Sequence, residues 1–200
     1  MDIYGDTQSG NCMKVKHTAD YLGLSYTWHS VDIVNGGSRT PEFLQINPQG
    51  QVPSVVLEDG RVLSQSNAII AYLSENTRLL PTDRFTRAQV LQWLFWEQYS
   101  HEPYVAVCRF HMHYLGKSKE TREAWRVERG ESALDALEDQ LSQRQWLVAD
   151  QLTIADIALF AYTHLAQEGG FDLAPRAGVK RWIAACGKAL GFPLAREVEA

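Results

Sequence analysis

Hydrophobic and polar residues alternate along the first 78 positions in a pattern that predicts strands and helices in mixed order. Short apolar runs rich in strand-forming residues predict four strands, at 3–4, 25–31, 52–57 and 61–63. The last two are separated by Glu58-Asp59-Gly60, and Asp-Gly between apolar runs is a strong hairpin signal. Helical spacing predicts a first helix that ends at Gly23, a short second helix over 40–46 and a third that starts after 64–67. The order β-α-β-α-β-β-α describes an α/β layer.

The second half of the chain shows only helical periodicity. Pro81 and the charged residues after it interrupt the pattern, and no strand-like alternation follows. We therefore predict the fold class α/β plus all-α, with an N-terminal domain at 1–78, a linker at 79–85 and an all-helical domain at 86–200.

Two long helices and a capping motif are predicted in this second half. Helical spacing extends over 85–115, where Pro103 should kink or divide the helix, and over 120–143. Thr153-Ile154-Ala155-Asp156 then precedes an apolar run and predicts a capping box at the start of another helix.

Composition and charge limit the classes of function that the protein could have. The chain of 200 residues is 45% hydrophobic and 22% charged, as expected of a folded protein with a sizeable core. Its net charge of −5 argues against a nucleic-acid partner, because phosphate binding depends on clustered Lys and Arg. No leader pattern or membrane-spanning apolar run is present, so a membrane partner is not expected. The cysteines Cys12, Cys108 and Cys186 have no short-range pairing motif, which indicates a reducing compartment and a cytoplasmic protein.

Two dipeptides near the predicted hairpin carry a family resemblance. Val52-Pro53 stands at the head of the third strand, and Gln65-Ser66 precedes the third helix. With the order of elements, these positions resemble the glutathione-binding half of the cytosolic glutathione transferases, of the bacterial, serine-dependent type related to the theta and zeta classes. The resemblance covers nearly the whole chain. It implies a thioredoxin-like N-terminal domain, an all-helical C-terminal domain, and no cofactor beyond glutathione as co-substrate.

The resemblance also implies how these residues bind glutathione. The Val52 backbone, before a cis Pro53, would pair with the cysteinyl part of the ligand. Gln65 and Ser66 would receive its γ-glutamyl end, aided by free amides and the dipole at the helix N-terminus. Because Gln65 replaces the Glu that is commoner in the family, a charged contact to the ligand ammonium becomes a neutral hydrogen bond.

Glutathione chemistry requires a donor that favours the thiolate, which is the reactive form of the thiol. Ser9 precedes the first helix in Ser9-Gly10-Asn11-Cys12 and matches the activating serine of theta- and zeta-like transferases. A hydroxyl at this point would donate to the sulfur, and the helix dipole would add to the stabilisation. The alternative is that Ser9 only caps the helix.

Two neighbours of Ser9 have open roles. Cys12 is a rival nucleophile, but its helical spacing with Val15 and Ala19 places it on the packed stripe of the helix, so we expect it in the core. Asn11 could orient the bound sulfur, or it could satisfy the local backbone in an Asx turn.

Other polar residues are candidates for ligand contacts, and the sequence supports some of them more strongly than others. Gln51 and Arg39 occupy positions that face the glycyl carboxylate in related enzymes, although Arg39, in a Gly/Ser loop, is explained at least as well as solvated surface. His111 and His113 suggest a metal site with Cys108. Residues i and i+2 lie on different faces of a helix, however, so no metal is expected.

The residues that line the pocket for the second substrate, here called the acceptor pocket, are the hardest to predict from the sequence. Aromatic residues of the 85–115 helix should mostly belong to the core, and Tyr99, Tyr104 and Arg109, which flank Pro103, are the candidates for lining a pocket for a small hydrophobic electrophile. The expected function is conjugation of glutathione to such electrophiles by a homodimer. A glutathione-dependent disulfide reductase or peroxidase, and a non-catalytic binding protein of the same fold, are the alternatives.

Overall fold

The N-terminal half is built on a four-stranded sheet. The computed structural model describes residues 1–193, and its strands are β1 Asp2–Gly5, β2 Thr27–Ser30, β3 Ser54–Val56 and β4 Val62–Ser64. Their order across the sheet is β2-β1-β3-β4. β1 runs parallel to β2 and antiparallel to β3, so that Ile3 lies opposite both Trp28 and Val55. The predicted hairpin at Asp59-Gly60 joins β3 to β4.

Three helices connect or follow these strands: α1 Gly10–Tyr21, α2 Pro41–Ile46 and α3 Ser66–Leu73. Thr40 caps α2, because its side chain accepts a hydrogen bond from the Phe43 N–H at 3.3 Å. Val15 of α1, Val55 of β3 and Ile69 of α3 are fully buried in one shared core. The predicted thioredoxin-like arrangement is confirmed.

Within the described residues the C-terminal half contains only helices: α4 Arg84–Trp96, α5 Glu102–Arg109, α6 Ala124–Leu141, α7 Ile154–Thr163 and α8 Ala177–Leu190, with short turns of other helix types between them. α7 is buried along its whole length and begins with the predicted capping box, in which the Thr153 N–H donates to Asp156 Oδ2 at 2.9 Å. Trp182 Nε1 donates to Asp156 Oδ1 at 3.0 Å, so the box also ties α7 to α8. None of the described helices combines the length and apolarity needed to span a lipid bilayer.

The long helix predicted over 85–115 is divided, but the break begins before the proline. A π-turn at Glu97–His101 separates α4 from α5, and a second one at Phe110–Tyr114 follows α5. Pro103 cannot donate a backbone hydrogen bond, and its ring excludes the carbonyl four residues earlier, which explains the wider turn ahead of it. Because a π-turn adds a residue to the helical repeat, side chains beyond Glu97 point in directions that α-helical spacing does not predict.

The segment predicted as a linker is packed into the core. Leu79 and Leu80 are buried, and the Ile154 N–H donates to the Leu79 carbonyl oxygen at 3.0 Å. The chain therefore passes from the sheet to the helices while held against α7. The domain limits at 78 and 86 stay a prediction, and residues 194–200 of the predicted helical domain lie outside the described part.

Helix α1 connects the two halves of the molecule. It packs against α3 on one side and against α7 on the other. A Cβ on Gly10 would lie 2.6 Å from the ring of Tyr162, so only glycine permits this approach. The N-terminus of α1 is thereby held against the helical half, at the point where Ser9 precedes it.

Candidate active site

A groove of about 590 Å³ lies between the N-terminal half and the start of α5. Gln98, Glu102 and Phe110 line it from the helical half. Its other lining residues include eight that the sequence predicted for glutathione chemistry, namely Ser9, Asn11, Arg39, Gln51, Val52, Pro53, Gln65 and Ser66. These eight residues from four separate segments of the chain thus share one cavity, while their individual roles stay predictions.

Ser9 occupies the N-cap position of α1 with an extended backbone, at φ −78° and ψ 120°. Within the described chain its hydroxyl forms no capping hydrogen bond, so capping alone does not explain the residue. The side chain borders both the groove and a second pocket of about 200 Å³. A hydroxyl at this point can donate to an anion that also lies at the positive end of α1.

Val52 presents backbone groups to the groove. The Val52–Pro53 peptide is cis, and the ladder of β3 begins only at Ser54. Across residues 1–193 the backbone of Val52 takes part in no backbone hydrogen bond. The loop before it is held by Asn47, whose Nδ2 donates to the Gln51 carbonyl oxygen at 2.8 Å. An extended peptide could therefore pair with Val52 as an added strand would.

The turn from β4 into α3 has an unusual backbone. Gln65 has φ 69° and ψ 107°, a left-handed region that non-glycine residues rarely adopt, and its side chain is exposed at the groove. Ser66 is the first residue of α3 and is buried. Its hydroxyl caps nothing and instead donates to Asn11 Oδ1 at 3.1 Å. Ser66 therefore does not act as a side-chain cap of α3.

A buried ion pair that the sequence did not predict lies beneath Ser66. Lys14 Nζ is 2.9 Å from Glu97 Oε1 and 3.4 Å from Ser66 Oγ, and both charged side chains are fully buried. Burial acts to raise the pKa of Glu97, but the Lys14 charge, the hydrogen bonds from Gln98 and Lys14 and the nearby His101 together outweigh burial and hold that pKa below its ordinary value. In the sequence, the ion pair is indicated only by a charged residue, Lys14, between the core positions Cys12 and Val15. Because α1 packs against other helices on two sides, the search for a single apolar stripe does not identify Lys14 as buried.

Asn11 links the two halves across the groove. Its Nδ2 donates to Glu102 Oε1 at 3.5 Å, while its backbone N–H donates to the Tyr162 hydroxyl at 3.2 Å. With the bond from Ser66, the side-chain amide is held between α3 and α5. Neither Glu102 nor Tyr162 was predicted, because their contacts with Asn11 depend on how the helical half packs against the start of α1.

Cys12 lies in the core, whereas Arg39 lies at the rim of the groove. Cys12 is fully buried, as predicted, and burial raises the pKa of its thiol to about 11 despite a hydrogen bond from the Asp6 N–H, so it is a poor nucleophile. Arg39 is exposed at the rim of the groove, and its Nη1 donates to the Gln49 carbonyl oxygen at 3.1 Å. Arg39 can therefore face a ligand carboxylate only by turning from this contact.

The acceptor-pocket candidates are separated. The pocket of about 200 Å³ beside Ser9 is lined by Arg109 but not by Tyr99 or Tyr104. Tyr99 is 80% exposed, and the Tyr104 hydroxyl accepts a hydrogen bond from Arg129. The π-turn at 97–101 rotates these positions away, which explains why helical spacing misplaced them.

Arg109 itself is committed to internal partners. Its Nε lies 2.6 Å from Glu168 Oε2, and its Nη1 donates to the Gln8 carbonyl oxygen at 2.8 Å. The residue thus fixes the loop before Ser9. Within the described residues, no three His, Cys, Asp or Glu side chains group as a metal site would require, and this includes His111 and His113.

Comparison with known proteins agrees with this geometry. Residues 8–76 match the family model described as glutathione S-transferase, N-terminal domain, and residues 119–185 match glutathione S-transferase, C-terminal domain. The crystal structure of a glutathione S-transferase from Pseudomonas fluorescens is 49% identical, has a TM-score of 0.88 and covers 92% of both chains.

Two curated relatives extend the comparison. Glutathione S-transferase 2 of Anopheles gambiae is 30% identical over 93% of this chain and 91% of that protein. Disulfide-bond oxidoreductase YfcG of Escherichia coli is 32% identical over 91% of this chain and 87% of that protein. The two matched domains define an enzyme with a thioredoxin-like N-terminal domain and an all-helical C-terminal domain. The chain belongs to the glutathione S-transferase family.

Proposed function

We propose that the groove binds glutathione, and that Ser9 stabilises its thiolate for attack on small hydrophobic electrophiles held in the neighbouring pocket. The observation that carries this proposal is the position of the Ser9 hydroxyl, which makes no capping bond and borders both cavities. The eight predicted residues supply complementary contacts along the groove. Non-catalytic binding would leave this arrangement unexplained.

Each part of glutathione has a matching element in the groove. The cysteinyl backbone pairs with Val52, and the γ-glutamyl carboxylate lies at the N-terminus of α3 near the Ser66 amide, where the helix dipole favours an anion. Gln51 and Arg39 face the glycyl carboxylate. The sulfur then lies near Ser9, whose hydroxyl donates to it and lowers the pKa of the thiol, since a hydrogen bond to the charged form favours that form.

Calorimetry and kinetics on Ser9→Ala test the proposal. Glutathione affinity should be almost retained, whereas turnover of an aryl halide should fall by roughly 10²–10³, as for loss of one oxyanion-hole donor. Thr7→Ala removes a hydroxyl from the same loop and serves as the matched control. Turnover by Ser9→Ala equal to that of the parent would exclude Ser9 from thiolate stabilisation.

A glutathione-dependent disulfide reductase is the second candidate, because one relative is named a disulfide-bond oxidoreductase. The three cysteines of this chain are buried, so glutathione itself would exchange with the substrate disulfide. Reduction of a mixed disulfide should therefore survive Cys12→Ala. A specific collapse of this activity in that variant would make Cys12 the nucleophile.

The enzyme is also proposed to be a cytoplasmic homodimer, in keeping with its free cysteines. Large apolar side chains of α3, of α4 and of the π-turn after α4 are exposed, and Leu91 and Phe95 among them line a mainly apolar pocket of about 290 Å³. They are Tyr72, Phe85, Leu91, Phe95 and Tyr99. Because monomers rarely expose so much apolar surface in one place, a second copy of the chain is the occupant we propose.

Analytical ultracentrifugation tests this interface. Phe95→Glu should convert the dimer to a monomer, because it places a charge in the apolar contact. Trp125→Glu, at an exposed aromatic residue on α6 outside this surface, is the control. A monomeric parent at micromolar concentration would exclude the homodimer.

A further inference from the structure

The exposed turn between β2 and α2 contains an asparagine followed by glycine, Asn35-Gly36. An asparagine side chain can close a five-membered ring with the backbone nitrogen of the next residue and lose ammonia. Glycine favours this reaction, because it has no Cβ to obstruct the approach of its nitrogen. The turn therefore has the chemistry of a deamidation site.

The backbone nitrogen that would attack is free in this structure. Across residues 1–193 the Gly36 N–H donates no hydrogen bond, whereas the N–H of Gly37 donates to the Asp32 carbonyl oxygen at 2.7 Å. Asn35 and Gly36 are both exposed, so water and hydroxide reach them. The attacking nitrogen has no hydrogen bond to break first.

Other positions with related chemistry are protected. Asp59-Gly60 in the hairpin turn can close the same ring, but the Gly60 N–H donates to the Leu57 carbonyl oxygen at 2.9 Å. Asn76 precedes Thr77, whose N–H is also hydrogen-bonded. The remaining asparagines lie in helices or precede proline, namely Asn11, Asn67 and Asn47. Among these positions of the described chain, the turn after β2 alone combines a glycine neighbour with a free nitrogen.

Asp32 holds the asparagine side chain in place. Its Oδ2 accepts a hydrogen bond from Asn35 Nδ2 at 2.7 Å, and its Oδ1 accepts from the Val34 and Asn35 N–H groups at 3.1 and 3.0 Å. The hydrogen bonds from Asn35, that of its side chain first, hold the pKa of Asp32 below its ordinary value, so this carboxyl is charged. Because ring closure must break the side-chain bond, Asp32 slows the reaction.

We propose that Asn35 is a site of spontaneous deamidation, and that the modified turn displaces one wall of the groove. The product places a carboxylate where Nδ2 now donates to Asp32, so an attraction becomes a repulsion between like charges. Ile33 lines both cavities, and Ser38 and Arg39 line the groove just after the turn. The modification does not depend on the proposed function, whereas its effect on glutathione binding rests on it.

The reaction balances with water as the co-reactant. The Gly36 nitrogen loses its proton to hydroxide and bonds to Asn35 Cγ, and the bond from Cγ to Nδ2 breaks with its electron pair going to nitrogen. That nitrogen takes up protons from water and leaves as ammonia. A second water then opens the ring at either carbonyl carbon, which gives aspartate or isoaspartate. The sum is asparagine plus water giving the acid plus ammonia.

Peptide mapping of the folded protein after incubation at mildly alkaline pH tests the modification. Trypsin cleaves after Lys16 and Arg39, so residues 17–39 form one peptide. This peptide should gain the mass that replacing an amide by an acid adds, and should elute as two isomers. The rate should rise in proportion to hydroxide concentration, because the Gly36 nitrogen must lose its proton before it attacks.

Matched controls separate ring closure from general damage. Asn35→Gln keeps an amide, but its longer side chain does not form the five-membered ring, so its peptide should gain no mass. The peptide 40–61 contains Asp59-Gly60 with its bonded nitrogen and should form no isoaspartate in the same sample. Asp32→Ala removes the bond that holds the amide and should speed the conversion. If that variant does not fold, Asp32→Asn removes the charge with little change of shape and should also speed it.

Calorimetry follows the effect on the groove. The Kd of the parent for glutathione should rise as the modified fraction grows, whereas the Kd of Asn35→Gln should stay constant during incubation. Asn35→Asp reproduces one of the two products. Its Kd should exceed that of the parent roughly two- to fivefold, the size expected from one exposed charge pair.

The outcomes distinguish the parts of the proposal. If peptide 17–39 converts when cut free but stays unmodified in the folded protein, Asn35 is not a site of modification. Equal rates in the parent and in Asp32→Ala would overturn the role of Asp32. Modified protein with the parent Kd would overturn the effect on the groove. A parent that binds no glutathione would overturn the proposed function, while a gain of mass at Asn35 would still support the modification.

Discussion

Lys14 Nζ and Glu97 Oε1 lie 2.9 Å apart, with neither side chain exposed to solvent. Asn67 and Gln98 also donate to Glu97 Oε2, at 3.0 and 2.9 Å. Because Lys14 is on α1 and Glu97 begins the π-turn after α4, this pair joins the two halves of the molecule directly beneath Ser66. Stability and the geometry of the groove are therefore coupled through one buried charge pair.

Removing one partner of this pair should lower the free energy of unfolding much more than removing both partners. Lys14→Met leaves the Glu97 carboxylate buried and uncompensated, which should cost roughly 3–5 kcal/mol of unfolding free energy. Lys14→Met combined with Glu97→Gln removes the orphan charge and should recover most of that loss. Urea denaturation measures both variants. A double variant as unstable as the single one would contradict the assignment of the cost to an unpaired charge.

Two buried histidines should make the protein less stable in mild acid. Burial lowers the pKa of His17 and of His101 to about 4, from an ordinary value of 6.5. The unfolded chain therefore takes up protons below pH 6.5 that the folded chain refuses until about pH 4. The unfolding free energy should fall over this range by about 1.4 kcal/mol per pH unit for each histidine, and be fully present above it.

Denaturation midpoints measured between pH 6.5 and 4.5 test whether the unfolding free energy falls as the pH falls. His17→Gln and His101→Gln should each remove about one proton from the slope of unfolding free energy against pH, and their effects should add. An unchanged slope in both variants would show that other groups dominate acid unfolding.

The sequence predicts the fold well because its signals are local. Asp59-Gly60 and the Thr153–Asp156 box each specify a turn or a helix start within a few residues, and both are confirmed. What it misses depends on tertiary packing. Lys14 is buried because α7 covers the second face of α1, and Glu102 enters the groove from the other half of the chain.

The π-turns set a further limit on prediction. Helical spacing assumes 3.6 residues per turn, but the chain departs from it at 97–101 and at 110–114. The direction of Tyr99 and Tyr104 therefore could not be derived. The groove residues of the N-terminal half lie on turns with strong local signals, and the structure brings them to one cavity.

Gly10 should be intolerant of any side chain. A Cβ there would lie 2.6 Å from the Tyr162 ring, so Gly10→Ala must displace α1 from α7 and should cost about 1–3 kcal/mol in unfolding free energy. Turnover should fall as well, because Ser9 moves with the N-terminus of α1. Adding Tyr162→Val makes room for the methyl group and should recover part of the stability. Thermal denaturation of the two variants measures this, and no recovery would show that the clash lies elsewhere.

The last prediction concerns the turn into α3, where Gln65 and Ser66 meet the proposed γ-glutamyl end of glutathione. Ser66→Ala removes a hydroxyl that donates to Asn11 and lies 3.4 Å from Lys14 Nζ, while the backbone amide and the dipole of α3 remain. We expect the Ser66 hydroxyl to turn from Asn11 and donate to the γ-glutamyl carboxylate when glutathione binds. Since a hydrogen bond to a charged group contributes about 1.5–3 kcal/mol, the Kd of Ser66→Ala for glutathione should rise roughly ten- to a hundredfold. Ser132→Ala, at an exposed position on α6, is the matched control.

Gln65→Glu should act in the opposite direction, because it places a carboxylate at the groove opposite the ligand ammonium. Calorimetry should show tighter glutathione binding that weakens as salt is added, since an exposed charge contact is screened. Because Gln and Glu have the same shape, Gln65→Glu should keep the left-handed backbone at this position and differ from the parent only in charge. If Ser66→Ala lowered thermal stability with no change in glutathione affinity, and Gln65→Glu bound no more tightly at low salt, both residues would serve only to shape α3. The ligand would then have to lie elsewhere in the groove.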